Sequence, residues 1–232
     1  LESAALMKWI QPQHLTSEAT ADYASNFRRD PEHLVVIDDF LDPVRLATIR
    51  RVLLSDGQLE TVYKVRSKKD WVGEAEFNAT SDDMRFIFEK MYRGPLPGKE
   101  MEPGILTDLM FRQLLRGSAF LSWLAAATGQ PVHQTGEINL KLLNQSHFLR
   151  WHSDGVPNRT LCMVMYLHEG WRIDFAGRFL LRRFNGRIDS IEPICNRLIL
   201  FDPQTGAEHA VEPINAVAGA WSRLNYTAWF YA

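Results

Sequence analysis

The sequence predicts an α+β protein with a mainly β core, a barrel-like double sheet buttressed by N-terminal helices. Two observations predict it. The first half carries apolar-periodic stretches punctuated by Pro and Gly, the pattern of surface helices. In the second half, about seven short runs rich in β-branched, aromatic and aliphatic residues recur between turn signals, as in a sandwich or barrel. No repeat or low-complexity segment divides the 232 residues. The expectation is a single domain over 1–232, with a helical extension (1–32), a helical support region (33–136) and the β core (137–232).

In chain order, "LTSEATADYASNFRRD" (15–30) predicts a helix, and "VVIDDFL" (35–41) a short strand. "DPVRLATIRRVLLSDG" (42–57) then starts a helix: Asp42 can cap it, Pro43 suits its first position and Gly57 its end. Residues 61–80 are polar and ambiguous. "SDDMRFIFEKMYRG" (81–94) predicts a helix, because Met84, Ile87, Phe88 and Met91 form one stripe. "GPLPGKEMEPG" (94–104) is a loop, and 106–130 supplies one long or two short helices. The strands are "INLKLLN", "FLRWHSD", "TLCMVMYLH", "GRFLLRRF", "NRLILFDP", "AEHAVEPI" and "RLNYTAWFYA".

A net charge of −2 without blocks of like charge gives no electrostatic grip for nucleic acid or membrane. Cys162 and Cys195 sit in apolar runs and make no disulfide framework, which fits a reducing compartment. No apolar stretch approaches the roughly 20 residues that cross a bilayer. The opening "LESAALMKWIQPQ" lacks the features of a signal peptide. A cytoplasmic protein is expected.

Chemistry enters with "HFLRWHSDGVPNR" (147–159). On a strand, His152 and Asp154 project to the same face. Imidazole plus carboxylate suits a divalent first-row metal, and two histidines with one carboxylate suit non-haem Fe(II). The bland alternative is a polar turn at a strand end. His14 and His33 lie in the helical half, and His133 precedes the first barrel strand. His147 falls on the opposite face from His152, and His168, before a Gly, reads as a surface residue. His209 in "AEHAVEPI" is the favoured third ligand. Arg223 is a fixed cation in an apolar strand and needs an anion, either a protein carboxylate or a bound one held bidentately. Thr227 shares its face and can add a hydroxyl donor.

Together, "HSD" at 152–154, "EHAVEP" around His209 and "RLNYTAWF" from Arg223 resemble the H-x-D…H…R pattern of the Fe(II)/2-oxoglutarate-dependent oxygenases. The prolyl-4-hydroxylase-like branch is the most similar. "MYLHEGW" resembles its Y-L-N-x-x-W segment, and "AGRFLLRRF" its G-G-x-L strand. "IEPICNRLILF" and "VVIDDFLDP" resemble two further strands of that branch, so the likeness spans about 33–232. Two departures are Ala176–Gly177, where the family has paired glycines, and His168, where it has Asn.

The resemblance implies a double-stranded β-helix (jelly-roll, cupin-like) fold with Fe(II), 2-oxoglutarate and O2 as cofactors. His152, Asp154 and His209 would be the metal-binding and catalytic residues. Arg223 would anchor the cosubstrate's distal carboxylate, with Thr227 and Tyr166 as donors. The implied reaction hydroxylates an unactivated C–H bond, in a protein prolyl residue or an amino-acid-like small molecule, and releases succinate and CO2. Asp154 stands where related halogenases have a small residue. Trp229 stands where nucleic-acid demethylases carry a second arginine, which argues against a nucleic-acid substrate. Arg159 matches a position that can face substrate, or is a solvated loop arginine. Trp229 either walls the pocket or fills the core. Residues 64–83 fall where such enzymes often carry a substrate-covering loop, and an inert surface loop fits equally. Two other readings are a zinc or manganese isomerase or hydrolase on a cupin-like barrel, and a non-catalytic ligand-binding barrel. The sequence does not define an oligomeric state.

Overall fold

The computed structural model describes residues 2–52, 58–98 and 100–232. A short helix α1 (Glu2–Leu6) precedes α2 (Ser17–Arg29), whose N-terminus is capped by Thr16 accepting from Ala19 N. Strand β1 (Leu34–Ile37) follows, then α3 (Pro43–Ile49). Asp42 caps α3 as the sequence predicts, its carboxylate accepting from the Val44 and Arg45 amides at 3.1 and 3.0 Å. Gly57, the expected end of that helix, and Lys99 of the 94–104 loop lie outside the described residues.

The ambiguous stretch after residue 58 forms strand β2 (Leu59–Val65) and a short helix α4 (Glu74–Ala79). The helix expected over 81–94 is instead strand β3 (Arg85–Tyr92), paired antiparallel with β2, β4 and β5. Both faces of this strand are packed, which hides its period-2 pattern. Ile87, Glu89 and Met91 are buried on one face, while Phe88 stacks on Tyr63 at 5.2 Å and meets Phe77 of α4 at 5.8 Å. Apolar residues on both sides of a strand can mimic a helical stripe, and tertiary pairing overrides that local preference.

The 106–130 region resolves into two helices, α5 (Pro103–Arg116) and α6 (Ser118–Thr128). Eight strands follow: β4 (Gln134–Leu143), β5 (Phe148–His152), β6 (Arg159–Tyr166), β7 (Phe179–Arg182), β8 (Ile188–Ile191), β9 (Leu198–Phe201), β10 (His209–Val211) and β11 (Arg223–Tyr231). The sequence reading includes all of these but β8, whose exposed, polar "IDSI" carries little strand signal. Neighbour order is β1-β9-β6-β11-β4-β3-β5-β10-β7-β8, with β2 on β3, and every pairing is antiparallel. The sheet curls so that residues from β5, β7 and β10 line one cavity with residues from β4, β6 and β11.

Strand β11 shows how sequence alternation builds both sides of this wall. Leu224, Tyr226, Ala228 and Phe230 face the helices, in a core with Phe27, Phe111, Phe120, Trp123 and Leu124. Arg223, Asn225, Thr227 and Trp229 face the cavity. Side chains of a strand alternate faces, so one run supplies an apolar backing and a polar lining together. The single polar group on the helix side is satisfied: the Tyr226 hydroxyl donates to Asp108, which also accepts from Arg112 at 2.9 Å.

Candidate active site

His152 ends β5, and β10 pairs with that strand so that His209 stands directly opposite it, the two rings 4.2 Å apart. The chain leaves β5 at once and returns Asp154 toward both rings. Its Oδ1 lies 3.7 Å from His152 Nε2, and its Oδ2 lies 3.6 Å from His209 Nε2. The three side chains can each offer one ligand atom, all within 4.8 Å of one another. The Arg150 carbonyl bonds His152 Nδ1 at 2.9 Å, which turns Nε2 toward Asp154. An outer hydrogen bond of this kind fixes ring orientation at metal sites.

The electrostatics suit a cation. Burial drives His209 down to about 3, with His152 pushing the same way. Burial likewise lowers His152, outweighing the pull of Asp154. For Asp154, burial alone would raise the carboxyl. His209, His152 and the hydrogen bond from Trp229 outweigh it and hold it below the usual range. At neutral pH the cluster is two neutral imidazoles and a carboxylate, the ligand state a divalent metal requires.

Asp154 is held from behind. Trp229 Nε1 donates to its Oδ2 at 2.9 Å, and Arg159 Nη1 donates to its backbone carbonyl at 2.7 Å. Arg159 also reaches the Tyr231 hydroxyl and lies over the Trp229 and Tyr231 rings. It is therefore neither a solvated loop residue nor one of the cavity-lining groups; it buttresses the Asp154 turn. Trp229 lines the cavity.

The same cavity, about 240 Å³, runs to Arg223. Arg223 is 2% exposed, and its Nη2 donates to the Tyr166 hydroxyl at 3.2 Å. Its Nε and Nη1 make no hydrogen bond, and neither does the buried Thr227 Oγ1. Among the described residues no protein carboxylate pairs with this arginine. Orphaned donors are costly in a protein interior, so their convergence on one end of a cavity fits a carboxylate ligand there. Tyr166, fully buried, backs Arg223 from the barrel interior and does not itself line the cavity.

The glycine-pair departure lies beside this end. Ala176 and Gly177 both have positive φ, 60° and 73°, and a Cβ on Gly177 would come within 3.2 Å of Ile214. The other departure, His168, is a correction to its expected surface place: it is 5% exposed. Its Nδ1 accepts from Leu224 N at 3.1 Å, and its Nε2 faces the Pro193 carbonyl at 2.5 Å. Burial drives it down to about 4, so the ring is a neutral tie between backbone segments. His147 is likewise structural, its ring 4.2 Å from Phe88.

Sequence reasoning missed a buried ion pair in the cavity wall, Lys141 with Glu89 at 2.8 Å. Its signal was available for Lys141: Glu137, Asn139 and Lys141 alternate with apolar residues along β4. The predicted helix over 81–94 concealed Glu89. At the mouth stand Lys64 and Trp71 from the 64–83 segment, with Trp71 43% exposed.

Residues 138–231 match the profile of the 2OG-Fe(II) oxygenase superfamily. The β half of this chain belongs to that superfamily. The match contains all three residues of the cluster and Arg223. No curated protein sequence matches the chain. Among solved structures, this chain is similar to a Pseudomonas putida prolyl-4-hydroxylase, at 20% identity and a TM-score of 0.61, covering 92% of this chain and 99% of that one. It is also similar to a Trichoplax adhaerens prolyl hydroxylase, solved with a peptide fragment of the hypoxia inducible factor oxygen degradation domain. That likeness has 16% identity and a TM-score of 0.66, covering 95% of this chain and 93% of the other. SnoN, a non-heme alpha ketoglutarate dependent epimerase from nogalamycin biosynthesis, aligns at 14% identity and a TM-score of 0.59, over 93% of this chain and 82% of its own. The fold is thus the double-stranded β-helix expected from the sequence. No helix of the described residues is long and apolar enough to cross a membrane.

Proposed function

We propose that this chain, as one oxygenase domain over 1–232, is an Fe(II)- and 2-oxoglutarate-dependent hydroxylase. Its substrate in this reading carries an unactivated C–H bond, in a prolyl residue of a protein or in an amino-acid-like small molecule. The observation that carries the reading is the pairing, in one cavity, of the His152–Asp154–His209 cluster with an Arg223 that lacks an anion. A zinc isomerase or hydrolase needs the first and has no use for the second.

His152, Asp154 and His209 would hold Fe(II), and Arg223 with Thr227 would hold the distal carboxylate of 2-oxoglutarate. Bound together with O2, these cofactors would supply the oxidising power, with succinate and CO2 as the expected co-products. The protein's own residues do the positioning. Trp229 and Arg159 hold Asp154 in place, and Tyr166 orients the Arg223 guanidinium. Phe179 and Phe201, packed on the His209 ring at 5.3 and 4.9 Å, shield one side of the cluster from water. Substrate would enter past Trp71 and Lys64, and the prolyl hydroxylases among the similar structures favour a prolyl group.

The test is mass spectrometry of proline-containing peptides and of free amino acids after incubation with Fe(II), 2-oxoglutarate and O2, with succinate measured alongside. A gain of one oxygen matched by succinate is expected, and Asp154→Ala or His209→Ala should abolish both. Full activity in either variant would refute the metal assignment.

A further inference from the structure

The cavity that holds Arg223 and the His152–Asp154–His209 cluster contains a second built polar feature, on the wall made by β3 and β4. Strands β4 and β11 pair here with Leu143 opposite Arg223, Lys141 opposite Asn225 and Asn139 opposite Thr227. Lys141 therefore stands one cavity-facing position from Arg223 toward the mouth. It is 9% exposed, and its Nζ lies 2.8 Å from Oε1 of Glu89, which is 1% exposed. That oxygen nevertheless makes no hydrogen bond of acceptable geometry, so the contact is charge against charge. An ammonium has three donors, more than the one contact with Glu89 uses. Asn225, directly across the ladder and 4% exposed, also leaves its Oδ1 without a partner.

A buried ion pair is a poor way to stabilise a fold, since apolar residues of similar volume often do as well or better. Its presence in a cavity wall asks for another role. Both residues line the cavity, and Lys141 is the member that can bind an anion, its ammonium held in place by the Glu89 carboxylate. The more exposed cavity groups, Glu137 and Lys64, belong to the mouth, where substrate would arrive. The ligand expected in the deep part of the cavity is the oxo acid.

We infer that Lys141 is a second cationic anchor for the carboxylates of the 2-oxo acid, with Glu89 as its positioning residue. The inference rests on the oxygenase reading above. A charge-assisted hydrogen bond at such a site corresponds to roughly tenfold or more in affinity.

The experiment is an anaerobic calorimetric titration of the Fe(II)-loaded protein with 2-oxoglutarate, with Fe(II) affinity and thermal unfolding measured on each variant. Lys141→Met should raise the 2-oxoglutarate Kd about tenfold or more and leave Fe(II) binding unchanged. Glu89→Gln keeps an acceptor beside the ammonium while removing the competing charge, so its Kd should be unchanged or lower. Because Lys141→Met strands a buried carboxylate, the double variant Glu89→Gln with Lys141→Met is the safer protein, and it should show the same loss. Equal loss of binding in Glu89→Gln would reduce Lys141 to a structural partner. A folded double variant binding within about twofold of wild type would overturn the inference alone. A wild-type protein that binds Fe(II) but no 2-oxoglutarate would overturn the oxygenase reading and this inference with it.

Discussion

Trp229 holds Asp154 from across the cavity, an indole N–H on a carboxylate oxygen at 2.9 Å. Partners of this kind orient a metal ligand, and their loss typically costs about 10- to 100-fold in metal affinity. Trp229→Phe keeps most of the ring and removes the donor. It should weaken Fe(II) binding about tenfold in a competition assay with a chelating dye, with unfolding temperature little changed. Unaltered affinity would make Trp229 a wall and nothing more. At this scale the sequence was legible where residue chemistry is scarce. A histidine and an aspartate two apart on a strand, a later histidine and an arginine in an apolar strand have few ordinary explanations. Trp229 and Arg159 were less legible, because a tryptophan fits any core and a loop arginine fits any surface. Only the register of β6 on β11 brings Arg159 opposite Tyr231, and with it the Asp154 turn.

At the scale of elements, the turn leading into β7 carries a local conflict. Ala176 closes a 3-10 turn at φ 60°, ψ −139°, a backbone region that glycine occupies freely and other residues at a cost. The carbonyl of Ala176 accepts from Trp171 Nε1, so the turn is tied down rather than relaxed. Ala176→Gly should stabilise the protein by about 1 kcal/mol, seen as a higher urea midpoint. A lower midpoint would mean that the buried methyl contributes more than the strain costs. Strand β3 teaches the complementary lesson. Ile87, Phe88 and Met91, with Met84 just before it, fit a helical stripe, and what makes it a strand is pairing with β2, β4 and β5. Such partners lie far along the chain and leave no mark on a local window. Helix α3, by contrast, was legible to the residue, because Asp42 and Pro43 act on their immediate neighbours.

At the scale of the whole molecule, the strands from β4 on and the helical buttress were legible as alternation and period, and the resemblance supplied their closure into a jelly roll. What the sequence alone could not place was the order β11-β4-β3-β5, which inserts a first-half strand into the barrel wall and with it Glu89. The folded molecule also buries neutral histidines away from the cluster. Burial drives His147 and His168 each down to about 4, whereas both titrate near 6.5 in the unfolded chain. The unfolded state then binds more protons between these values, so stability rises with pH across that window and is lost as pH falls through it. For His168 alone the slope is about 1.4 kcal/mol per pH unit. Metal-free protein should therefore show an unfolding temperature that declines steadily from pH 6.5 to 4.5, and a flat profile would mean these rings are solvated.

The central claim is that one cavity binds a metal at His152, Asp154 and His209 and a 2-oxo acid between that metal and Arg223. The most direct measurement adds Fe(II) and then 2-oxoglutarate to the anaerobic protein and follows the weak visible charge-transfer band of the chelate. The account predicts a band that appears only with both additions, is absent in His209→Ala, and needs far more 2-oxoglutarate in Arg223→Ala. A wild-type protein that takes zinc tightly and shows no band with Fe(II) and 2-oxoglutarate would contradict it.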